Sequence, residues 1–212
     1  MKYTKDFNDA SIYIFFNELF HDNKKLLFDF ESNKLMIRHL FDQFAQKVDF
    51  PMKQGFYLVI MKRFIFYKKF HIKPNQNYII SKIISEEFRH SLHGIFGTDR
   101  KVMKSILKYS KEKILTLESK KKTVFCLSNN LCFVMSFVEL ITSCCYGRNS
   151  FSEKISHTIF SFEDCLELIG NQELPSYVHL EMLKFLHYIY IITDVAYNSL
   201  LQELMGSNVM GI

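Results

Sequence analysis

Only seven glycines and three prolines punctuate 212 residues, and this scarcity is the tightest constraint on the fold. An all-β chain needs turn residues about every 8 to 12 positions, so the sequence predicts helices joined by short polar breaks. Bulk for a core comes from 22 Phe and 11 Tyr within a hydrophobic share of 48%. These are large rings rather than the β-branched runs that strands favour. A chain of this length buries roughly 70% of its unfolded surface on folding, enough to stand without staples.

The five cysteines are Cys126, Cys132, Cys144, Cys145 and Cys165. Their odd number and the adjacent Cys144–Cys145 pair fit no disulfide framework, which predicts free thiols in a reducing, intracellular and cytosolic setting. They also lack the paired spacing of a zinc site. The opening residues Lys2, Lys5 and Asp6 precede no long apolar core, so no signal peptide is expected. The most apolar window, residues 131–145, falls short of the ~20 residues that cross a bilayer and carries Glu139, which predicts a core helix and no membrane span.

Apolar residues recur every three to four positions through most of the chain. Asn8 is a candidate cap for a helix over 8–20, and Ser32 for one whose stripe is Leu35, Ile37, Leu40, Phe41 and Phe44, with Arg38, Asp42 and Gln46 opposite, stopped by Pro51. Residues 56–70 read as strand or helix, their length favouring helix. A break at Pro74–Asn75 precedes a helix over 78–95 with Ile79, Ile80, Ile83, Ile84, Phe88 and Leu92 on one face and Gly97 as its cap. Thr98 then caps a basic helix reaching about Leu117. In the last third Asn130 caps and Gly147 ends a helix, Ser161 and Asp164 form a capping box before a short helix closed by Gly170, and Pro175 leads a helix through Ile192.

Helix, short loop and helix about every 40 residues predict an all-α fold, an armadillo/HEAT-like α-solenoid of stacked helix pairs, with an irregular helical bundle as the alternative. Three stretches form one continuous domain: helical repeats with a basic middle segment over 1–118, a polar hinge over 119–130, and further helical repeats over 131–212.

The motifs that carry chemistry are faint. Glu87 and His90 have the Glu-x-x-His spacing of di-iron bundles, yet such a site needs the motif twice. Gly94 and Gly97 have KH-loop spacing without neighbouring strands. Hydrolase elbows, phosphate loops and the dinucleotide fingerprint are absent. The sequence therefore predicts no catalytic, cofactor-binding or metal-binding residue, and a protein that is not an enzyme.

Charge is more informative. Between Lys62 and Lys122 stand 16 Lys and Arg against 5 Asp and Glu, an excess of +11, whereas the other residues carry 11 against 17. Arg100, Lys101, Lys104, Lys108, Lys111, Lys120, Lys121 and Lys122 form the candidate electrostatic contact face. Such a field attracts phosphates, acidic lipids or an acidic protein face, the last being the candidate protein partner, and nucleic acid is disfavoured because no recognition module accompanies the charge.

The run from Phe137 to Asn149, with Val138-Glu139-Leu140-Ile141, Cys144-Cys145 and Gly147-Arg148-Asn149, resembles a segment of inositol trisphosphate receptors that reads V-E-L-L, a cysteine, then E-G-K-N. Phe151-Ser152-Glu153-Lys154, then Ser161 to Cys165, Pro175, Phe185-Leu186 and Asp194 follow in the family's order, so the similarity spans residues 131–212, with a fainter echo over 35–46. Tyr146 stands where the family has glutamate and Arg148 where it has lysine. The resemblance implies the cytosolic armadillo-like helical region that these calcium-release channels share with ryanodine receptors, at the endoplasmic reticulum or another internal membrane. It implies a non-catalytic regulatory or coupling segment, a fragment without ligand pocket or pore, whose partners are other helical domains of the same or a neighbouring subunit. The alternative is a free-standing α-helical scaffold that binds an acidic protein through its basic middle third.

Overall fold

A computed structural model of the chain describes residues 18–20, 23–45, 51–68, 70–86, 88, 102–111, 115–119, 122–126 and 129–192. The described residues are mostly helical. In chain order they form α1 (Lys24–Phe28), α2 (Phe30–Ala45), α3 (Pro51–Met61) with a 3-10 turn (Lys62–Phe64), the paired strands β1 (Phe66–Tyr67) and β2 (Phe70–His71), and α4 (Lys73–Ile83). There follow α5 (Val102–Ser110), β3 (Leu115–Ser119), β4 (Lys122–Cys126), α6 (Asn129–Cys145), α7 (Ser150–Ser156), α8 (Phe162–Gly170) and α9 (Ser176–Leu186), which runs into a π turn (His187–Ile191).

The helix α6 lies at the centre. It packs against α3, α4, α5, α7 and α9, elements drawn from before and after it in the chain. Its composition explains the position: Phe133, Val134, Met135, Phe137, Val138, Leu140, Ile141, Cys144 and Cys145 are all buried, so apolar surface surrounds the helix and several neighbours must cover it. Where α3 crosses, Gly55 permits close approach, since a Cβ there would sit 3.4 Å from the Phe133 Cα. Around α6 the rings interlock, Phe44 lying 5.9 Å from Phe133 and 4.6 Å from Phe88, and Phe160 5.1 Å from Phe185. Each fully buried ring of this kind contributes about 1.5 to 3 kcal/mol of transfer free energy.

Several local expectations hold. Ile37, Leu40, Phe41 and Phe44 are buried on α2 and Ile79, Ile80 and Ile83 on α4. Gly147 adopts φ +77 past the end of α6, the left-handed conformation that suits glycine. The capping box at Ser161 is complete: its Oγ accepts from the Asp164 amide at 3.0 Å, and the Asp164 carboxylate accepts from the Ser161 amide at 3.2 Å.

Others need correction. Ser32 lies inside α2, whose first turn is held by Asp29, the carboxylate accepting the Ser32 amide at 3.2 Å and its hydroxyl at 2.7 Å. Leu35 is 68% exposed, because it falls off the stripe set by Ile37, Leu40 and Phe44. Pro74 sits in the first turn of α4 instead of breaking the chain before it, since the first turn has no intrahelical bond for its missing N–H to lose. Asn130 is within α6, and Pro175 caps α9 from outside. The stretch 56–70 is helical only to Phe64 and then turns into the β1–β2 pair.

The largest difference concerns the basic helix, which ends at Ser110. Leu115–Ser119 pairs antiparallel with Lys122–Cys126, with Leu115 opposite Cys126 and Ser119 opposite Lys122. The strand also occupies part of the expected hinge. Leu115-Thr116-Leu117-Glu118 alternates, Thr123-Val124-Phe125 is β-branched and aromatic, and this strand pattern prevails over the helical reading of the same residues. Of the helix expected over 8–20 only residues 18–20 are described, and they are helical; the caps at Asn8, Thr98 and Gly97 lie outside the described residues.

Candidate interaction surface

The helix α5 is strongly two-sided. Val102, Ser105, Ile106 and Tyr109 are buried, and the element packs on α6. Lys104, Lys108 and Lys111 are exposed; Lys104 and Lys108, four apart, share one face of the helix, and Lys111 follows in the turn after it. The Lys108 Nζ lies 5.2 Å from the Tyr109 ring centroid, a cation–π contact that holds the ammonium near the helix surface. Two of the eight basic residues proposed from sequence thus share a face. Lys122 begins β4, while Arg100, Lys101, Lys120 and Lys121 lie outside the described residues.

Buried polar side chains join α4 to the end of α6. Gln76 donates through Nε2 to the carbonyls of Ser143 at 3.1 Å and Tyr146 at 3.0 Å. Asn149 donates to Gln76 Oε1 at 3.2 Å, Asn77 Oδ1 at 2.8 Å and the Cys144 carbonyl at 3.2 Å, and its Oδ1 caps α7 by accepting the Ser152 amide. These bonds satisfy main-chain groups that α6 leaves open where it stops. In sequence, Gln76 and Asn149 looked like ordinary polar residues beside helix ends. Only the caps were legible signals.

A second polar patch lies beside α6 and α9. Glu139 pairs with Lys62, and Glu181 with Lys184 at 2.7 Å. Burial, followed by the nearby Tyr188, Glu181 and Glu139, pushes the Tyr146 phenol up to about 12. The Tyr177 phenol is likewise raised by burial and by Glu139 and Glu181. These phenols stay protonated at neutral pH, and the Tyr146 ring packs against Phe66, His71 and Tyr188.

Two buried thiols and two imidazoles are held by their surroundings. Cys145 Sγ meets Ser156 Oγ at 3.2 Å, and burial pushes its thiol up to about 12, which removes the thiolate that nucleophilic chemistry requires. Cys144 is raised well above its ordinary range by burial. The Nε2 atoms of His157 and His179 face the carbonyls of Ile189 at 3.0 Å and Asn171 at 2.9 Å, bonds in which each ring donates. Among the described residues no group of three or more His, Cys, Asp or Glu can hold a metal ion; Glu87, His90, Gly94 and Gly97 lie outside them. No helix among the described residues is long and apolar enough to cross a membrane. In comparisons with known proteins the chain matches no family model, no curated protein and no solved structure.

Proposed function

We propose that this chain is a non-catalytic helical coupling module that works in the cytosol by packing against other protein, of the kind found in intracellular ligand-gated calcium-release channels. The observation that carries the reading is the block α6 to α9, in which α6 packs on α7 and α9, and α8 on α9. These helices coincide with the receptor-like stretch, and its Gly147, Ser161–Asp164 and Pro175 sit at their ends. In this reading the block is a set of armadillo-like stacked pairs, and α2 to α5 close over α6 as an irregular bundle. A closely packed body of this kind transmits displacement as a unit, because packed cores switch between arrangements rather than stretch.

The test is the complete transcript that encodes the chain. Further helical repeats leading to six apolar spans are expected. A transcript with neither a ligand-binding portion nor such spans removes the channel role.

A second reading is favoured by the basic face of α5. Lys104 and Lys108 stand on the exposed side of a helix whose other side is buried, and Lys111 follows in the turn after it. A scaffold that holds an acidic protein through them is expected to lose its partner steeply between low and moderate salt. Capture that ignores salt contradicts it.

A further inference from the structure

On another side of the molecule two adjoining hollows form one groove. One, of about 260 Å³, is lined by Leu27, Phe28 and Ile72, and the other, of about 550 Å³, by Tyr78 and Phe151. Phe30, Lys73 and Pro74 line both, so the two are continuous across the start of α4. Phe28 is 51% exposed and Phe151 46% exposed, large rings left open to water beside this groove. Exposed rings gathered along a concave surface mark a site for another molecule more often than scattered apolar residues do.

The charges beside it favour an anionic occupant. Lys73 sits in the groove wall and donates to the Arg148 carbonyl at 3.1 Å, a bond that fixes its ammonium and leaves two N–H groups for a ligand. The Lys24 Nζ lies 6.0 Å from the Phe28 ring centroid, and Lys25 is exposed next to it. The nearby carboxylates include Asp29, engaged by Ser32, Glu31, and Asp42, which acts on the Tyr78 phenol against the opposing charge of Arg38. The rings meet edge to face, Phe30 with Tyr78 at 90° and Phe28 with Tyr67 at 78°. Single-stranded nucleic acid needs flat faces on which bases stack, whereas side chains of a peptide can fill the notches between such rings.

We propose that this groove docks an acidic segment of a partner protein, with Leu or Phe anchors between Phe30, Tyr78 and Phe151 and a carboxylate on Lys73. The inference rests on the reading of the chain as a protein-binding module, and it uses a surface separate from the basic face of α5.

The experiment measures fluorescence anisotropy of the full chain with three labelled probes: a short peptide alternating Glu with Leu and Phe, its counterpart with Lys in place of Glu, and oligouridylate. The acidic peptide is expected to bind, to weaken at least about tenfold in Lys73→Glu and in Phe151→Ala, and to be unaffected by Glu173→Gln, an exposed side chain of neither surface, whereas the Lys peptide does not bind. Phe28→Ala, at a more exposed ring, serves if circular dichroism shows Phe151→Ala to be unfolded. The proposal is overturned if the acidic peptide fails to bind, if groove variants bind it as tightly as the native chain, if the Lys peptide binds equally, or if oligouridylate binding is what these variants lose. Loss in Lys104→Glu alone assigns binding to α5 and also overturns it, leaving the scaffold reading intact.

Discussion

Gln76 and Asn149, both buried, are hydrogen-bonded side chain to side chain at 3.2 Å across 73 positions of sequence. Through this bond and their bonds to the carbonyls of Ser143, Cys144 and Tyr146, the pair closes the open end of α6 against α4 and the start of α7. Asn149→Ala is expected to cost about 2 to 4 kcal/mol, since it removes a helix cap and leaves buried acceptors unpaired. Combining it with Gln76→Ala in a double-mutant cycle in urea tests the link. A coupling of at least ~0.5 kcal/mol is expected, and strict additivity contradicts it.

Gly147 turns the chain directly beneath His71. A Cβ at Gly147 would lie 2.6 Å from the His71 Cδ2, and the backbone there has φ +77. Gly147→Ala therefore meets both a clash and a left-handed penalty of about 1 to 2 kcal/mol. Made in a His71→Ala background, which leaves only the residue 71 Cβ at 3.2 Å, the same substitution should cost less, mainly the backbone part. Equal costs in the two backgrounds place the strain elsewhere.

Thiol reactivity follows burial. Cys132 is exposed, whereas Cys144, Cys145 and Cys165 are buried. Peptide mapping after brief iodoacetamide treatment of the native chain should find Cys132 alkylated and those three protected until denaturant is added. The linked pH effect has a definite sign. Cys145 and Cys165 are both moved from 9.0 to about 12 by burial, so the unfolded chain loses these protons first as pH rises. Stability from this source is whole below pH ~9 and falls between ~9 and ~12. A urea midpoint unchanged from pH 8 to pH 10 contradicts the burial of these thiols.

The sequence was most readable where a signal is local. The helical stripes of α2 and α4, the Ser161–Asp164 box and the turn at Gly147 depend on residues within a few positions of one another, and periodicity or cap chemistry reveals them directly. The end of the basic helix was misread because residues 115–126 suit a strand as well as a helix. Which wins depends on pairing Leu115 with Cys126, eleven residues away, which no window of helical period can register. The candidate surfaces divide in the same way. Lys104, Lys108 and Lys111 were legible only as members of a basic run, and the exposure of Lys104 and Lys108 opposite the buried side of α5 comes from the fold. The groove around Phe30, Lys73, Pro74 and Phe151 assembles α2, α4 and α7 from distant stretches, and nothing in their separate patterns announces it.

The central claim is that α6 is the shared core of one cooperative body. Native-state hydrogen exchange resolved by residue tests it most directly. Amides of α6, and those of α3 and α9 packed on it, should exchange only through global unfolding, with a common free energy equal to that from urea. Exchange of α7 to α9 at a distinctly lower free energy than α2 to α4, with α6 following only one of the two groups, would contradict it.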